Sequence, residues 1–256
     1  MKGALRRTAG ASERATGMKR RVWLFDLDNT LHDASHASFG PFNAAMSAYI
    51  ERHLGLDSAG ASALRQHYWD HYGATLLGLV RHHGVRASHF LEETHRLPGL
   101  EARLRTSAHD RAALSRLPGR KWILTNAPRA YALRVLRRLR LLRHFEGVIG
   151  IDDMTMFGQL RPKPDARMFR RLLARLKVPA GRCVLVEDTL EHQRAAHRLG
   201  IRSVWMQRYL EGRFRGTVRD GINAGAKRRE VGVHPCRKPR YVYAKIKSLH
   251  ALRTLR

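Results

Sequence analysis

From residue 117 onward the chain alternates short apolar runs with longer amphipathic stretches, and few folds accommodate that rhythm. Trp122–Leu124, Val148–Ile151, Cys183–Val186 and Ser203–Met206 read as strands, and Ala130–Leu142, Ala166–Leu176 and Leu190–Leu199 as helices. Val22–Leu27 is an earlier apolar run of the same kind. Short β-branched runs separated by helices predict an α/β fold with a doubly wound parallel sheet, because parallel neighbours need crossovers and those helices cover both faces. Between Pro41 and about Arg116 the rhythm breaks. Ala44, Ala45, Ala48 and Tyr49 recur at helical spacing, as do Leu64, Tyr68, Tyr72, Leu76 and Leu79. Turn signals at Gly55, Gly60, Gly84 and Pro98-Gly99 cut this stretch into four or five helices. The expected organisation is a Rossmann-like core from residues 18–36 and 117–256, with residues 37–116 as a helical insert. A basic loop at 208–240 precedes a last strand at Tyr241–Tyr243 and a helix through Leu255.

Charge bounds the partners. The chain carries 49 basic against 21 acidic residues, a formal net charge of +28, which first suggests nucleic acid. Yet 40 of those 49 are arginine, a skew that a GC-rich codon supply produces at tolerant surface positions. No RNA-binding motif or RGG-like repeat accompanies the charge, so nucleic acid is not expected as a partner. A polyanion-binding role for the basic tail is kept as an alternative. Residues 1–17 lack apolar periodicity and read as a disordered basic arm without a secretory h-region, and Met18 would serve as well as Met1 for a start. No run approaches the ~18 apolar residues of a membrane span, and Cys183 and Cys236 cannot make a disulfide framework. A soluble, cytoplasmic protein is expected, of unspecified oligomeric state.

Ligands of doubly wound sheets sit beyond the carboxyl ends of the strands. There the sequence places Asp26 and Asp28, then Thr125 and Asn126, then Lys163, then Glu187 and Asp188. Taken singly, an Asp after a strand is usually a turn or capping residue, and Asp165 before the next helix reads that way. Four such positions after successive strands are hard to obtain from capping alone. Grouped carboxylates repel unless a cation joins them, and hard oxygen ligands suit Mg²⁺. Asp26 could attack phosphorus and Asp28 could protonate the leaving oxygen and later activate water. Thr125, Asn126 and Lys163 would bind the phosphoryl oxygens.

Phe25-Asp-Leu-Asp-Asn-Thr-Leu31 resembles the first motif, DxDxT, of the haloacid dehalogenase-like hydrolase superfamily. Leu124-Thr-Asn126 is similar to its second motif, Lys163 to its third and Val186-Glu-Asp-Thr189 to its fourth. The resemblance implies Asp26 as nucleophile and Asp28 as acid/base. It also implies magnesium held by Asp26, the Asp28 carbonyl and Asp188, with Glu187 assisting. The second Asp implies phosphatase rather than dehalogenase chemistry.

Within the insert, Tyr68-Trp-Asp-His-Tyr-Gly-Ala-Thr-Leu-Leu-Gly-Leu79 and His89-Phe-Leu-Glu-Glu-Thr-His95 resemble the pyrimidine 5′-nucleotidase branch. That implies hydrolysis of UMP- or CMP-like monophosphates. The insert as a whole resembles the family's helical cap; Tyr68 and Tyr72 could stack on a base, although their helical spacing favours the core of that cap, and His95 could bond a base or sugar edge. The alternative substrate is another small phosphate ester, such as a sugar phosphate or phosphoglycolate. His192-Gln193 stand where relatives often carry Asn.

Overall fold

In a computed structural model the described residues are 21–105, 107–210 and 237–255. Strand β1 (Val22–Phe25) is followed by helices Ala34–Ala37, Phe39–Leu54, Ser58–Tyr72, Thr75–His83, Ala87–Thr94, Leu100–Arg103 and Ala108–Arg116. Next come β2 (Arg120–Leu124), helix Arg129–Arg138, β3 (Gly147–Ile149), and a hairpin of β4 (Thr155–Met156) and β5 (Gln159–Leu160). Helix Ala166–Leu176, β6 (Cys183–Glu187), helix Leu190–His197, β7 (Arg202–Met206) and β8 (Ala244–Ile246) complete the alternation.

The six main strands are ordered β3-β2-β1-β6-β7-β8, and every pairing is parallel. The doubly wound α/β sheet expected from the sequence is present. Winding runs outward from β1 to β3 on one side, then resumes from β6 on the other. The order therefore reverses between β1 and β6, and a crevice opens beyond their carboxyl ends. Period-two alternation assigns the faces. Trp23, Phe25, Ile123, Val148, Val184 and Val186 pack with Tyr131, Val135 and Leu136 of one helix. Val22, Leu24, Leu124 and Leu185 pack on the other face with Met168, Phe169, Leu172 and Leu176. Each such fully buried side chain contributes about 1.5–3 kcal/mol.

A parallel β1–β2 pair needs a crossover helix, and Ala108–Arg116 supplies it. Its Ala113 and Leu114 join the sheet-side cluster. The helices before it have a separate core of Met46, Tyr49, Ile50, Ala61, Tyr68, Leu79 and Phe90. Where that helical stretch leaves and rejoins the sheet, Arg103 Nε donates to the Ala37 carbonyl at 2.7 Å, so its two ends meet. Helix Ser58–Tyr72 shows the local logic: Asp57 caps it by accepting from Gly60 N at 2.7 Å, and left-handed Gly73 ends it.

Several elements differ from the sequence expectation. Among the described residues six helices, not four or five, run from Phe39 to Arg116, because left-handed Gly99 starts the short helix Leu100–Arg103. The last strand is Ala244–Ile246 rather than Tyr241–Tyr243. Val242 N closes a turn onto the Pro239 carbonyl at 3.0 Å; Tyr243 N then reaches the Ser203 carbonyl at 2.9 Å, and the paired register with β7 runs from Val204↔Ala244. The final helix is a 3-10 segment, Leu249–Thr254. β3 stops at Ile149, since Ile151 N turns to the Ala127 carbonyl at 3.1 Å. Arg208, expected in the basic loop, is anchored as a two-pronged pair to Asp110. The 1–17 arm, Cys236 and most of the 208–240 loop lie outside the described residues. No helix among the described residues is long and apolar enough to cross a membrane.

A Cβ on Gly78 would lie 2.2 Å from Tyr68 Cγ, so the tyrosine ring covers this glycine directly. Gly78→Ala is expected to destabilise the protein by about 1–3 kcal/mol through overpacking, read as a lower urea midpoint. An unchanged midpoint would mean the ring is free to leave.

Candidate active site

The sheet brings the strand-end residues together. Asp26 directly follows β1, and its N–H extends the ladder to the Val186 carbonyl at 2.9 Å. Asp26, Thr125, Lys163, Glu187 and Asp188 are all buried. Lys163 Nζ donates to Asp26 Oδ1 at 2.7 Å and to Glu187 Oε2 at 2.8 Å, a buried trio drawn from three separate segments. Asn126 aims the lysine: its Nδ2 donates to the Lys163 carbonyl and its Oδ1 accepts the Lys163 N–H, both at 2.9 Å. Its amide therefore grips the lysine backbone, a positioning role where the sequence suggests a phosphate contact. Thr125 Oγ1 accepts from Ala127 N at 3.1 Å. Asp165 is the helix cap expected of it, accepting from Arg167 N at 2.7 Å.

Two carboxylates share one ammonium, and the consequence is unequal. Burial, with the charge of Glu187, pushes Asp26 up to about 6 despite Lys163. Burial also opposes ionisation of Glu187, but Lys163 and His192 overcome it and hold that carboxyl well below the usual range. Glu187 Oε1 accepts from Asp188 N at 3.2 Å and Thr189 N at 3.1 Å, and His192 Nδ1 stands 3.1 Å from Oε2. Gln193 Nε2 donates to the Glu187 main-chain carbonyl at 3.0 Å, so His192 stands by the side chain of Glu187 and Gln193 by its backbone. Trp205 Nε1 fixes the Asp188 carbonyl at 2.9 Å.

The donor set fits a hard cation. Carboxylate oxygens of Asp26, Glu187 and Asp188 lie within 4.8 Å of one another, a spacing and chemistry suited to magnesium. A carboxyl pushed up to about 6 with an ammonium 2.7 Å away marks a site short of positive charge.

Asp28 sits on the turn after Asp26. Asn29 adopts a left-handed φ of 57°, and Leu31 N bonds the Leu27 carbonyl at 2.9 Å. Asp28 Oδ1 accepts from Tyr131 Oη at 2.9 Å and lies 2.8 Å from His32 Nε2. Neither Tyr131 nor His32 belongs to a sequence motif quoted above. His95 backs this end of the site, with ring centroids 5.6 Å from Tyr131 and 4.5 Å from Phe42. Burial holds His95 down at about 4, and its Nδ1 bonds the Leu91 carbonyl at 3.0 Å. Tyr68 and Tyr72 are engaged within the helical insert. Their hydroxyls bond His83 and His82, and Tyr68 is buried in the helical core.

Comparison with known proteins places this geometry. The family model described as haloacid dehalogenase-like hydrolase matches residues 21–200, and a HAD-hydrolase-like model matches 160–248. A phosphoglycolate phosphatase of Pseudomonas fluorescens is 26% identical over 216 residues, covering 77% of this chain and 72% of that protein. Phosphate metabolism protein 8 of Saccharomyces cerevisiae is 26% identical over 162 residues, 59% of this chain, which spans only 50% of that relative's length. Among solved structures, a magnesium-bound putative HAD-hydrolase of Bacillus subtilis superposes with a TM-score of 0.53 at 16% identity, covering 92% of this chain and 98% of that one. A HAD phosphatase of Thermococcus onnurineus gives 0.53 at 19% identity, covering 91% and 96%. These two share the fold. The match over residues 21–200 assigns the family: this chain is a haloacid dehalogenase-like hydrolase.

Proposed function

We propose that this chain is a magnesium-dependent phosphomonoesterase acting on pyrimidine nucleoside 5′-monophosphates through an aspartyl-phosphate. The observation that carries the chemistry is the Asp26–Lys163–Glu187 trio beside Asp28 at the carboxyl edge of the sheet. Asp26 attacks phosphorus while the leaving oxygen takes a proton from Asp28. Water, giving its proton to Asp28, then attacks the aspartyl-phosphate, releasing phosphate and restoring Asp26. Lys163 and the Thr125 hydroxyl hold phosphoryl oxygens as charge redistributes. Asp26, Asp188 and the Asp28 carbonyl, with Glu187, would hold magnesium, which supplies charge neutralisation around the transferring group.

Residues 37–116 serve in this reading as the cap over the core of 18–36 and 117–256. Two cap segments that resemble pyrimidine 5′-nucleotidases support the nucleotide substrate. His95 is the cap candidate best supported for substrate contact, since its ring packs against Tyr131 beside Asp28. Tyr68 and Tyr72, bonded to cap histidines, act as cap core. The P. fluorescens relative favours phosphoglycolate as the second reading. Purified protein with Mg²⁺ is expected to prefer UMP or CMP over phosphoglycolate and sugar phosphates by at least about tenfold in kcat/KM. A preference for phosphoglycolate would overturn the nucleotide assignment and keep the reaction.

A further inference from the structure

We propose that His32 and Tyr131 are positioning residues for Asp28. By both donating to Oδ1, they reserve Oδ2 as the oxygen that delivers and recovers the proton. The inference rests on the phosphatase reading above and assigns a further task within the same site. A carboxyl oxygen accepts at most two good hydrogen bonds through its lone pairs. Asp28 Oδ1 has both places filled, by Tyr131 Oη at 2.9 Å and His32 Nε2 at 2.8 Å. A proton on Oδ1 would displace one of these donors. The arrangement that leaves both donors on Oδ1, with the one Tyr131 hydroxyl hydrogen given to Asp28 rather than to Ser38 Oγ, places a proton taken up by Asp28 on Oδ2.

The donors suit this task. An ionised carboxylate only accepts, so His32 Nε2 must carry a hydrogen. The ring is 1% exposed, and its Nδ1 has no hydrogen-bond partner among the described residues. A hydrogen on Nδ1 would thus be a buried N–H with nothing to bond, an unfavourable arrangement. The unpartnered Nδ1 leaves Nε2 as the ring's donor, aimed at Asp28 Oδ1. Tyr131 is buried on helix Arg129–Arg138, and its oxygen is also held 2.9 Å from Ser38 Oγ, so the phenol cannot swing away from Asp28 without breaking a second contact. The two donors come from either side of the helical insert, 103 residues separating Tyr131 from Asp28.

Proton accounting gives the test. In the first step the bond from phosphorus to the leaving oxygen breaks as the Asp26 carboxylate bonds phosphorus, and the Oδ2 proton passes to the leaving oxygen. In the second, water bonds phosphorus, its proton passes to Oδ2 and the bond to Asp26 breaks. An alkoxide needs that proton to leave; 4-nitrophenolate does not. Losing the clamp lets the carboxyl turn, so the penalty should follow leaving-group basicity.

The experiment measures kcat/KM of Tyr131→Phe, His32→Ala and His32→Gln on UMP and on 4-nitrophenyl phosphate, with Mg²⁺. For Tyr131→Phe and His32→Ala we expect a loss of about 10–100-fold on UMP and less than about threefold on the aryl ester, a fraction of the ~10²–10⁴ typical of general acid catalysis. His32→Gln, which keeps a donor, should recover part of the UMP rate. Tyr131→Phe placed in an Asp28→Asn background should cause no further loss, because both act through one carboxyl. Equal losses on both esters, or additive losses in the double variant, would overturn the proposal. If the wild type hydrolyses the aryl ester but not UMP, the nucleotide assignment fails, and the comparison passes to whichever alkyl phosphate it does hydrolyse. If it hydrolyses no phosphomonoester, the phosphatase reading fails and takes this proposal with it.

Discussion

Asp26→Asn should abolish phosphate release, by on the order of 10⁴-fold or more, and should also make the metal-free protein more stable at pH 8. Asparagine keeps the shape of the side chain but has no charged oxygen to attack phosphorus. The stability gain follows from the raised carboxyl. Its folded value of about 6 exceeds the ordinary 3.8 because burial and Glu187 disfavour the charge. The native state therefore holds this proton more tightly than the unfolded chain. Its contribution is fully present below about pH 4 and is lost as pH rises through 6. Two units amount to about 3 kcal/mol as an upper figure. Asparagine removes the charge, at the cost of a weaker bond to Lys163. We expect a net gain of about 1–3 kcal/mol at pH 8 and none at pH 4, measured by urea unfolding in EDTA. If Mg²⁺ occupies the site as proposed, adding it should narrow the difference by stabilising the native wild type. A gain equal at both pH values would show that the buried charge is not its origin.

Lys163→Met tests the same trio from the cation side. Methionine fills the stem's volume but leaves Asp26 and Glu187 buried with no ammonium between them. Breaking a buried pair by removing one partner costs about 3–5 kcal/mol. The cost should depend on pH. Glu187 is held low against burial by Lys163 and His192, so its favourable contribution exists above the ordinary carboxylate range and fades as pH falls. The variant should therefore be most destabilised at pH 7–8, and the gap should narrow as pH falls but close only where Glu187 itself takes a proton, well below the ordinary carboxylate range. Activity should fall on the order of 10³-fold, because a phosphoryl-oxygen donor is lost with the trio. Lys163→Arg should not restore it, since a flat guanidinium cannot place one nitrogen 2.7 Å and 2.8 Å from two carboxylates in a space shaped for an ammonium. A variant as stable as wild type at pH 8 would overturn the account of this buried network.

The sheet and its edge are legible in the sequence because both leave local marks. Central strands covered on two faces must be apolar throughout, and Val22–Phe25 and Cys183–Glu187 are buried at every position. The residues that follow them carry chemistry that tolerates few substitutes, which is why Asp26, Thr125, Lys163, Glu187 and Asp188 can be picked from the chain. What the chain conceals arises from packing between distant segments. Tyr131 looks like any apolar-face residue of an amphipathic helix until that helix is laid against the turn after β1. His32 follows a motif without belonging to it, and the turn that makes it Asp28's neighbour depends on Asn29 taking a left-handed φ. Tyr-Val-Tyr at 241–243 has strand-like composition, yet the turn closed on the Pro239 carbonyl and the register of β7 move the pairing to Ala244–Ile246. The hairpin at Thr155–Leu160 leaves little mark because its turn is Phe157-Gly158, both at positive φ, rather than Asn-Gly.

The bond from Arg103 to the Ala37 carbonyl has a consequence for anyone rebuilding this protein. It ties the two ends of a 66-residue separation at one neck, while the crossover helix that the sheet requires lies wholly on the far side. A different helical module could be spliced in between those two positions without asking any strand to change its neighbour. Such a chimera would keep the acids, the lysine and the threonine of the host and, if the insert is the cap proposed above, take its choosiness from the donor, with the Ser38 end of the graft as the seam to preserve.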